Sequence, residues 1–173
     1  GSHAVLWAKA LGAAVIATSG GDRKVAASRE LGADLVVDHR TEDFVERVLA
    51  FTDGVGVDVV LDVVGPSYLE RNLQALAPNG HIAVIASGSG RTAELDFGVL
   101  MRKRATISGT TLRARPLAEK AAIVEAVRYN VWPLVAAGRV RPVIDSVLPL
   151  AEVEEAHRRV RDGEVIGKVL LTP

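Results

Sequence analysis

Apolar and polar residues follow one another along the chain in blocks that predict helices succeeded by strands. An amphipathic helix over residues 4–11 precedes an apolar strand at 14–18, and the segment VAASRELGADLVVDHR repeats that order. Gly12 and Gly32 each follow a predicted helix, at the position where a left-handed residue commonly ends one. The pattern therefore predicts two helix-to-strand units in the first 40 residues.

The middle of the chain continues this alternation. A nearly continuous β-branched run at residues 57–64 predicts a strand that is buried on both faces. LERNLQALAPNG then predicts a helix and a turn, and HIAVIAS predicts another buried strand. Farther on, RTAELDFGVLMRKR predicts a connection with one short helix, and the Thr and Ser content of ATISGTTL favours an edge strand.

The last third predicts a long helix after Pro116 that bends or restarts near Trp132 and Pro133, because proline cannot donate the helical hydrogen bond. A strand in VRPVIDSVLPL, a polar helix and a final strand in GKVLLTP follow. Strands alternating with helices predict an α/β fold with a doubly wound, Rossmann-like parallel sheet. The common dinucleotide-binding form has the strand order 3-2-1-4-5-6 and binds its ligand across the carboxyl ends of the strands. We expect the sheet to lack its first strand and the glycine-rich loop, since the first predicted strand already has a helix before it.

The charge and the composition of the chain exclude several classes of function. The 173 residues include 21 basic and 21 acidic side chains, and this balance argues against nucleic acid as a partner. The short arginine clusters at 102–104 and 158–161 are interpreted as solvated surfaces. The absence of cysteine excludes disulfides and thiolate metal sites, and the four histidines lack metal-ligand spacing. No apolar run reaches the roughly 18 residues that span a membrane, so we expect a soluble cytoplasmic protein with no membrane partner.

The first candidate site follows the strand at residues 14–18. If this is the second strand of the sheet, its end meets the adenosine ribose, where NAD-binding proteins usually place an Asp or Glu. The sequence instead has Thr18, Ser19 and Gly20, followed by Lys24 after Arg23. Small polar residues and cations at this position favour binding of the 2′-phosphate of NADP. The alternative is that residues 22–24 are only the solvated first turn of a helix.

The second candidate site comes from the ends of the next two predicted strands. Gly65, Ser87 and Gly88 would let a flat cofactor lie against the backbone, although ordinary turn chemistry explains the same residues. Asp58 and Asp62 lie on one face of a strand. We interpret the carboxylate near the strand end as holding a neighbouring loop rather than as half of a glycosidase pair. No nucleophile elbow or catalytic triad is present.

Seven motifs in order resemble the C-terminal half of a medium-chain dehydrogenase/reductase, most closely the zinc-independent NADPH:quinone oxidoreductase branch. They are AVLWAKALGAAVIAT, ELGADLVVDHRTEDF, GVDVVLDVVG, LAPNGHIAVIA, GTTLRARP, AGRVRPVID and EEAHRRVRDGEVIGKVLL. The resemblance implies that Ser19 and Lys24 hold the 2′-phosphate and that His39 replaces a tyrosine at the adenosine end. It also implies cofactor contacts near the nicotinamide. These are Val63, Val64, Gly65, Ala86, Ser87, Gly88, Gly109, Thr110 and Thr111. In the closing motif Lys168 is retained, whereas Val165 stands where the family has a cofactor-contacting asparagine.

The resemblance implies the cofactor-binding part of an enzyme that uses NADP(H) to reduce quinones or α,β-unsaturated carbonyls by hydride transfer. Residues 1–145 would be a partial dinucleotide-binding domain, and residues 146–173 would return to a substrate domain outside this chain. A homodimer is expected through the edge strand at 105–111. Gly1 is either the last glycine of the cofactor loop or a purification-tag remnant. Two alternatives stay open, namely a non-catalytic nucleotide-binding or interaction module and a fragment of a zinc-dependent alcohol dehydrogenase. No catalytic residue is assigned.

Overall fold

A computed structural model describes residues 1–173 and divides them into two compact units. The first unit contains residues 1–40 and 124–173, and the second contains residues 41–123. This division differs from the predicted boundary between residues 145 and 146, which stays a prediction. None of the helices combines the length and the apolar character needed to cross a membrane.

The first unit contains two pairs of parallel strands and their helices. Its first part holds α1 (Ser2–Ala10), β1 (Ile16–Ser19), α2 (Asp22–Glu30) and β2 (Leu35–Asp38), and β1 pairs with β2. The carboxylate of Asp34 accepts hydrogen bonds from the Lys9 ammonium, at 2.8 Å, and from the Val15 backbone N–H, at 2.7 Å. One side chain therefore ties the end of α1 to the starts of both strands.

The two helix-to-strand junctions of this unit agree with the sequence. Gly12 and Gly32 have φ angles of +88° and +97°, a backbone conformation that carries a steric penalty for residues with a Cβ. Each glycine directly follows the last turn of its helix, as predicted. The first strand begins two residues later and ends one residue later than the predicted range of 14–18.

The second unit is built around a three-stranded parallel sheet in the order β3-β4-β5. Its elements are α3 (Phe44–Phe51), β3 (Val57–Asp62), a 3-10 turn (Pro66–Tyr68), α4 (Leu69–Ala75), β4 (Leu76–Val84), α5 (Phe97–Lys103) and β5 (Thr106–Gly109). In the predicted order 3-2-1-4-5-6, β1 and β2 would be strands 2 and 3, and β3, β4 and β5 would be strands 4, 5 and 6. The observed pair β2-β1 and the observed triplet β3-β4-β5 agree with that order. The parallel α/β fold class is confirmed, and β5 is an edge strand as expected.

The core of this unit lies on one face of the sheet. Leu73, Leu76 and Ile82 are almost completely buried, and residues of α5 and β5 pack against them. The opposite face carries Val59 and Leu61, whose side chains are 63% and 47% exposed. Alternate residues of a strand point to opposite sides of the sheet, and Val59 and Leu61 remain exposed on their side. The prediction that β3 is buried on both faces is therefore wrong.

Two local predictions also need correction. Helix α3 was not anticipated, and it begins after Asp43, whose carboxylate accepts a hydrogen bond of 2.7 Å from the Val45 N–H. The predicted turn before His81 lies inside β4. Val57 pairs with Leu76, but Val59 pairs with His81, so the four residues between them on β4 leave the regular ladder.

The remaining elements return the chain to the first unit. Helix α6 (Leu117–Asn130) ends just before α7 (Trp132–Ala136), so the predicted restart next to Pro133 is confirmed. Strand β6 (Ile144–Pro149), a 3-10 turn (Leu150–Glu152), α8 (Val153–Arg161) and β7 (Lys168–Thr172) follow, and β6 pairs with β7 in parallel.

Candidate functional site

The carboxyl end of β1 brings together several of the residues predicted for the adenosine end. Thr18 is exposed, and Ser19 is the last residue of the strand. The Ser19 hydroxyl forms a hydrogen bond of 2.7 Å with the hydroxyl of Ser28 on α2. This contact fixes the Ser19 side chain against the helix that follows it.

The turn after β1 lies against the end of β2. The N–H of Gly21 donates to the Asp38 carboxylate at 3.1 Å, and the N–H of His39 donates to the Ser19 carbonyl at 3.0 Å. A Cβ built on Gly20 would lie 2.8 Å from Nε2 of His39. The structure therefore places His39 beside Gly20, and a larger residue at position 20 would have to displace the imidazole.

Lys24 lies in the first turn of α2, where its ammonium has no ion-pair or hydrogen-bond partner. Its Nζ lies 3.8 Å from the position that a Cβ on Gly163 would occupy, so the side chain reaches the turn after α8. The cation nearest to the glycine turn is instead Arg40, whose Nη1 lies 2.9 Å from a Cβ position on Gly21. Arg40 was not predicted as a site residue from the sequence, although it follows the end of β2 by only two residues.

A buried carboxylate organises the loop after β3. Asp62 is only 4% exposed, and one of its oxygens accepts hydrogen bonds from the N–H groups of Val64, at 2.7 Å, and Gly65, at 2.8 Å. Its other oxygen accepts a hydrogen bond of 3.2 Å from the side-chain amide of Asn72, which is 5% exposed. The interpretation of Asp62 as a residue that holds a neighbouring loop is confirmed.

This loop is in direct contact with the loop after β4. Gly65 has a φ of +95°, and a Cβ at this position would lie 2.8 Å from the Ser87 Cα and 3.0 Å from the Ala86 carbonyl oxygen. The N–H of Ser89 also donates to the Val64 carbonyl at 3.0 Å. The predicted segments at residues 63–65 and 86–88 are thus brought together.

A cleft of about 570 Å³ opens at the carboxyl ends of β4 and β5. Five of the predicted site residues line it, namely Ala86, Ser87, Gly109, Thr110 and Thr111. The other lining residues are Val84, Ile85, Leu112, Arg115 and Ile123. Val63, Val64, Gly65 and Gly88 are not part of the lining. The cleft therefore joins two of the three predicted nicotinamide segments, and its lining combines polar and apolar groups.

Arg115 is the cation of this cleft, and it was not predicted as a site residue from the sequence. Its guanidinium donates to the Thr111 carbonyl at 2.9 Å, to the Thr110 hydroxyl at 2.7 Å and to the Glu119 carboxylate at 3.0 Å. The motif GTTLRARP contains two arginines, and their order in the chain does not indicate which of them hydrogen-bonds to the threonines. Arg115 fixes the path of the chain between β5 and α6.

The closing motif lies between β6 and β7 in the first unit. The N–H of Ile166 donates to the Asp145 carboxylate, and the N–H of Lys168 donates to the Val143 carbonyl, both at 2.9 Å. Gly167 has a φ of +98°, and a Cβ there would overlap the same carbonyl oxygen. Val165 and Lys168 therefore flank a backbone segment with little freedom to move.

Comparison with known proteins places these features in context. A family model described as "Zinc-binding dehydrogenase" matches residues 1–127. A 2-haloacrylate reductase from a Burkholderia species is 32% identical over 179 residues, covering 98% of this chain and 51% of that protein. A quinone oxidoreductase from Pseudomonas aeruginosa is 30% identical over 177 residues, covering 100% of this chain and 53% of that protein.

Solved structures agree with the sequence relatives. The crystal structure of Escherichia coli quinone oxidoreductase complexed with NADPH superposes with a TM-score of 0.83 at 30% sequence identity, covering 100% of this chain and 53% of that chain. The chain thus spans about half the length of the relatives that it matches.

Proposed function

Because the chain belongs to the zinc-binding dehydrogenase family, we propose that it is the cofactor-binding part of an NADPH-dependent oxidoreductase. Its substrates would be quinones or α,β-unsaturated carbonyl compounds, which accept a hydride. The proposal is supported by relatives named quinone oxidoreductase and 2-haloacrylate reductase and by a similar structure that holds NADPH.

The observation that carries the proposal is the cleft at the ends of β4 and β5. Gly109 lines this cleft and borders open space, since a Cβ on it would meet no atom within 4 Å. Its φ is not positive, so backbone conformation does not require the absence of a side chain there. Bare backbone next to an open cleft of about 570 Å³ fits a flat ring system such as a nicotinamide.

The residues at the end of β1 fit the other half of the cofactor. Ser19 presents a hydroxyl, and Lys24 supplies an ammonium without a partner of its own in this structure. At the position that ends this strand, where NAD-binding proteins usually have a carboxylate for the two ribose hydroxyls, this chain has Ser19. Ser19 and Lys24 would hold the 2′-phosphate, and His39 would contact the adenosine.

Within this proposal, NADPH supplies the hydride when it is bound, and the chain contributes binding and orientation. Arg115 holds Thr110 and Thr111 in place through two hydrogen bonds, which preserves the shape of the cleft wall. Val84 and Ile85 line the same cleft and contribute apolar surface to it. We assign no catalytic acid or base to this chain.

The family description refers to zinc, but the residues of this chain do not fit a zinc site. The chain contains no cysteine, and no three His, Asp or Glu side chains lie together as metal ligands. We therefore derive no step through a metal ion.

Turnover by the full-length protein tests the proposal. NADPH should support a higher kcat/KM than NADH with a quinone or an enone as acceptor. Lys24→Ala should lower the value for NADPH, whereas Arg29→Ala, at the far end of the same helix, serves as the control. A preference for NADH together with an unaffected Lys24→Ala variant would overturn the cofactor assignment. Binding of NADPH without turnover of any acceptor would favour a non-catalytic nucleotide-binding module.

A further inference from the structure

The guanidinium of Arg40 lies along the backbone of the glycine turn after β1. Its Nε is 3.0 Å from the position of a Cβ on Gly20, and its Nη1 is 2.9 Å from the position of a Cβ on Gly21. Such short distances leave no room for a side chain on the turn facing Arg40. The two glycines therefore allow the planar group to approach the carboxyl end of β1 closely.

The backbone of Arg40 is fixed in this place by Asp38. One oxygen of this carboxylate accepts the N–H of Arg40 at 3.0 Å, and the other accepts the N–H of Gly21 at 3.1 Å. The hydrogen bond from the Arg40 N–H is the main reason that the pKa of Asp38 is lowered, with the Gly21 N–H also contributing. Through these two hydrogen bonds Asp38 connects the end of β2 to the turn after β1.

The charges around the turn show why a further cation matters. Asp22 and Asp38 place two negative charges near the end of β1, and Arg23 with Lys24 supplies two positive charges. Those four groups leave no net charge for attracting a phosphate dianion. Arg40 adds the positive charge that changes the sign of the balance.

We propose that Arg40 is a specificity-determining residue that binds the 2′-phosphate of NADP(H) together with Lys24, an inference that rests on the proposed function. The arginine side chain offers a planar fork of N–H donors that matches phosphate oxygens, whereas a lysine ammonium acts as a point charge. Ser19 has its hydroxyl hydrogen-bonded to Ser28. A neutral hydroxyl can still donate to the phosphate but lacks the Coulomb attraction that a cation adds, so most of the discrimination between a 2′-phosphate and a 2′-hydroxyl comes from the two cations.

Calorimetry with the full-length protein tests this role without relying on catalysis. The probes are adenosine 2′,5′-bisphosphate and AMP, which differ only in the 2′-phosphate. The unmodified protein should bind the bisphosphate more tightly than AMP, and Arg40→Gln should reduce that affinity ratio about tenfold. Arg40→Lys should recover part of the ratio because it restores charge but not the fork. Arg29→Gln, which removes one positive charge from the far end of α2, should leave the ratio unchanged.

The outcomes separate this inference from the proposed function. If the unmodified protein prefers the bisphosphate, and Arg40→Gln keeps that preference while Lys24→Gln loses it, Arg40 has no such role although the NADP assignment survives. If the unmodified protein does not discriminate between the probes, both the NADP preference and the role of Arg40 are overturned. Thermal melting of Arg40→Gln, an exposed position, verifies that the variant is folded.

Discussion

Replacing Asp62 by alanine tests whether a single buried carboxylate holds the loop after β3 in place. The substitution removes the acceptor for three N–H groups, those of Val64, Gly65 and the Asn72 side chain. Asp62 and Asn72 are 4% and 5% exposed, so water cannot readily take over these hydrogen bonds. The structure thus predicts a loss far above that of an average surface substitution.

The size of the effect follows from the number of donors that lose their partner. An unpaired buried donor costs about 1–3 kcal/mol, so three of them amount to about 3–6 kcal/mol if part of the loop relaxes toward solvent. A domain is commonly stable by only about 5–15 kcal/mol, so this loss is a large fraction of the total.

Asp62→Asn is the matched control because it has nearly the same shape. Its carbonyl oxygen can still accept the N–H groups of Val64 and Gly65, and the Asn72 amide can turn over to accept a hydrogen bond from the new NH₂ group. Loss of charge assistance alone should cost about 1 kcal/mol.

Urea unfolding followed by far-ultraviolet circular dichroism measures both variants. Tryptophan fluorescence is a poor choice, because Trp7 and Trp132 both belong to the first unit and Asp62 belongs to the second. Hydrogen exchange should show faster exchange of the Val64 and Gly65 amides in Asp62→Ala than in Asp62→Asn. Equal and small effects of the two substitutions, with unchanged exchange at both amides, would refute the assigned role of the carboxylate.

Three further predictions concern other parts of the chain. Gly65→Ala should destabilise the protein by about 1–3 kcal/mol, since its φ of +95° and the nearby Ser87 Cα oppose a side chain. Gly88→Ala, which meets open space, is the control for thermal melting, and equal melting temperatures would contradict the reasoning. Hydrogen bonds from the side chains of Arg158 and then Arg159 lower the pKa of Glu155 from 4.5 to about 2. A lowered pKa in the folded state stabilises the protein above pH 4.5, and this contribution is lost as the pH falls toward 2. The difference in melting temperature between the unmodified protein and Glu155→Gln should therefore shrink over that interval, with Glu154→Gln as a control that shows no such trend. Arg115→Met should accelerate amide exchange at residues 110–112 by removing two hydrogen bonds to Thr110 and Thr111, whereas an equal effect of Arg113→Met would argue against a specific role.

The sequence predicted the features that depend on local chemistry. A glycine that ends a helix has a backbone requirement of its own, so Gly12 and Gly32 could be assigned from position alone. Asp62 could be interpreted correctly because a carboxylate at the end of an apolar strand needs donors, and the nearest ones are the N–H groups that follow it. In each case the partner lies within a few residues of the one that was identified.

Contacts between residues that are far apart in the sequence were harder to predict. Arg40 reaches the turn at residues 20–21, and the stack of Phe44 on Tyr68, with ring centroids 5.6 Å apart, joins residues separated by a helix and a strand. Periodicity gives the side of an element on which a side chain lies, but a long side chain selects its partner through its rotamers. The cation nearest to a turn can therefore be predicted only when the arrangement of the packed strand ends is known.

The exposed face of β3 shows the same distinction at the level of a whole strand. The apolar residues of VDVVLDVV led to the prediction of burial on both faces, yet Val60 packs against the core while Val59 and Leu61 remain exposed. The burial of an apolar side chain is favourable by about 25 cal/mol for each Å² of apolar surface. The hydrophobicity of a residue does not, however, identify which other residues cover it. Asp62, one residue beyond Leu61, could be interpreted without that information because its partners follow it in the chain. The same strand therefore yields a reliable site prediction at its end and an unreliable burial prediction along its length.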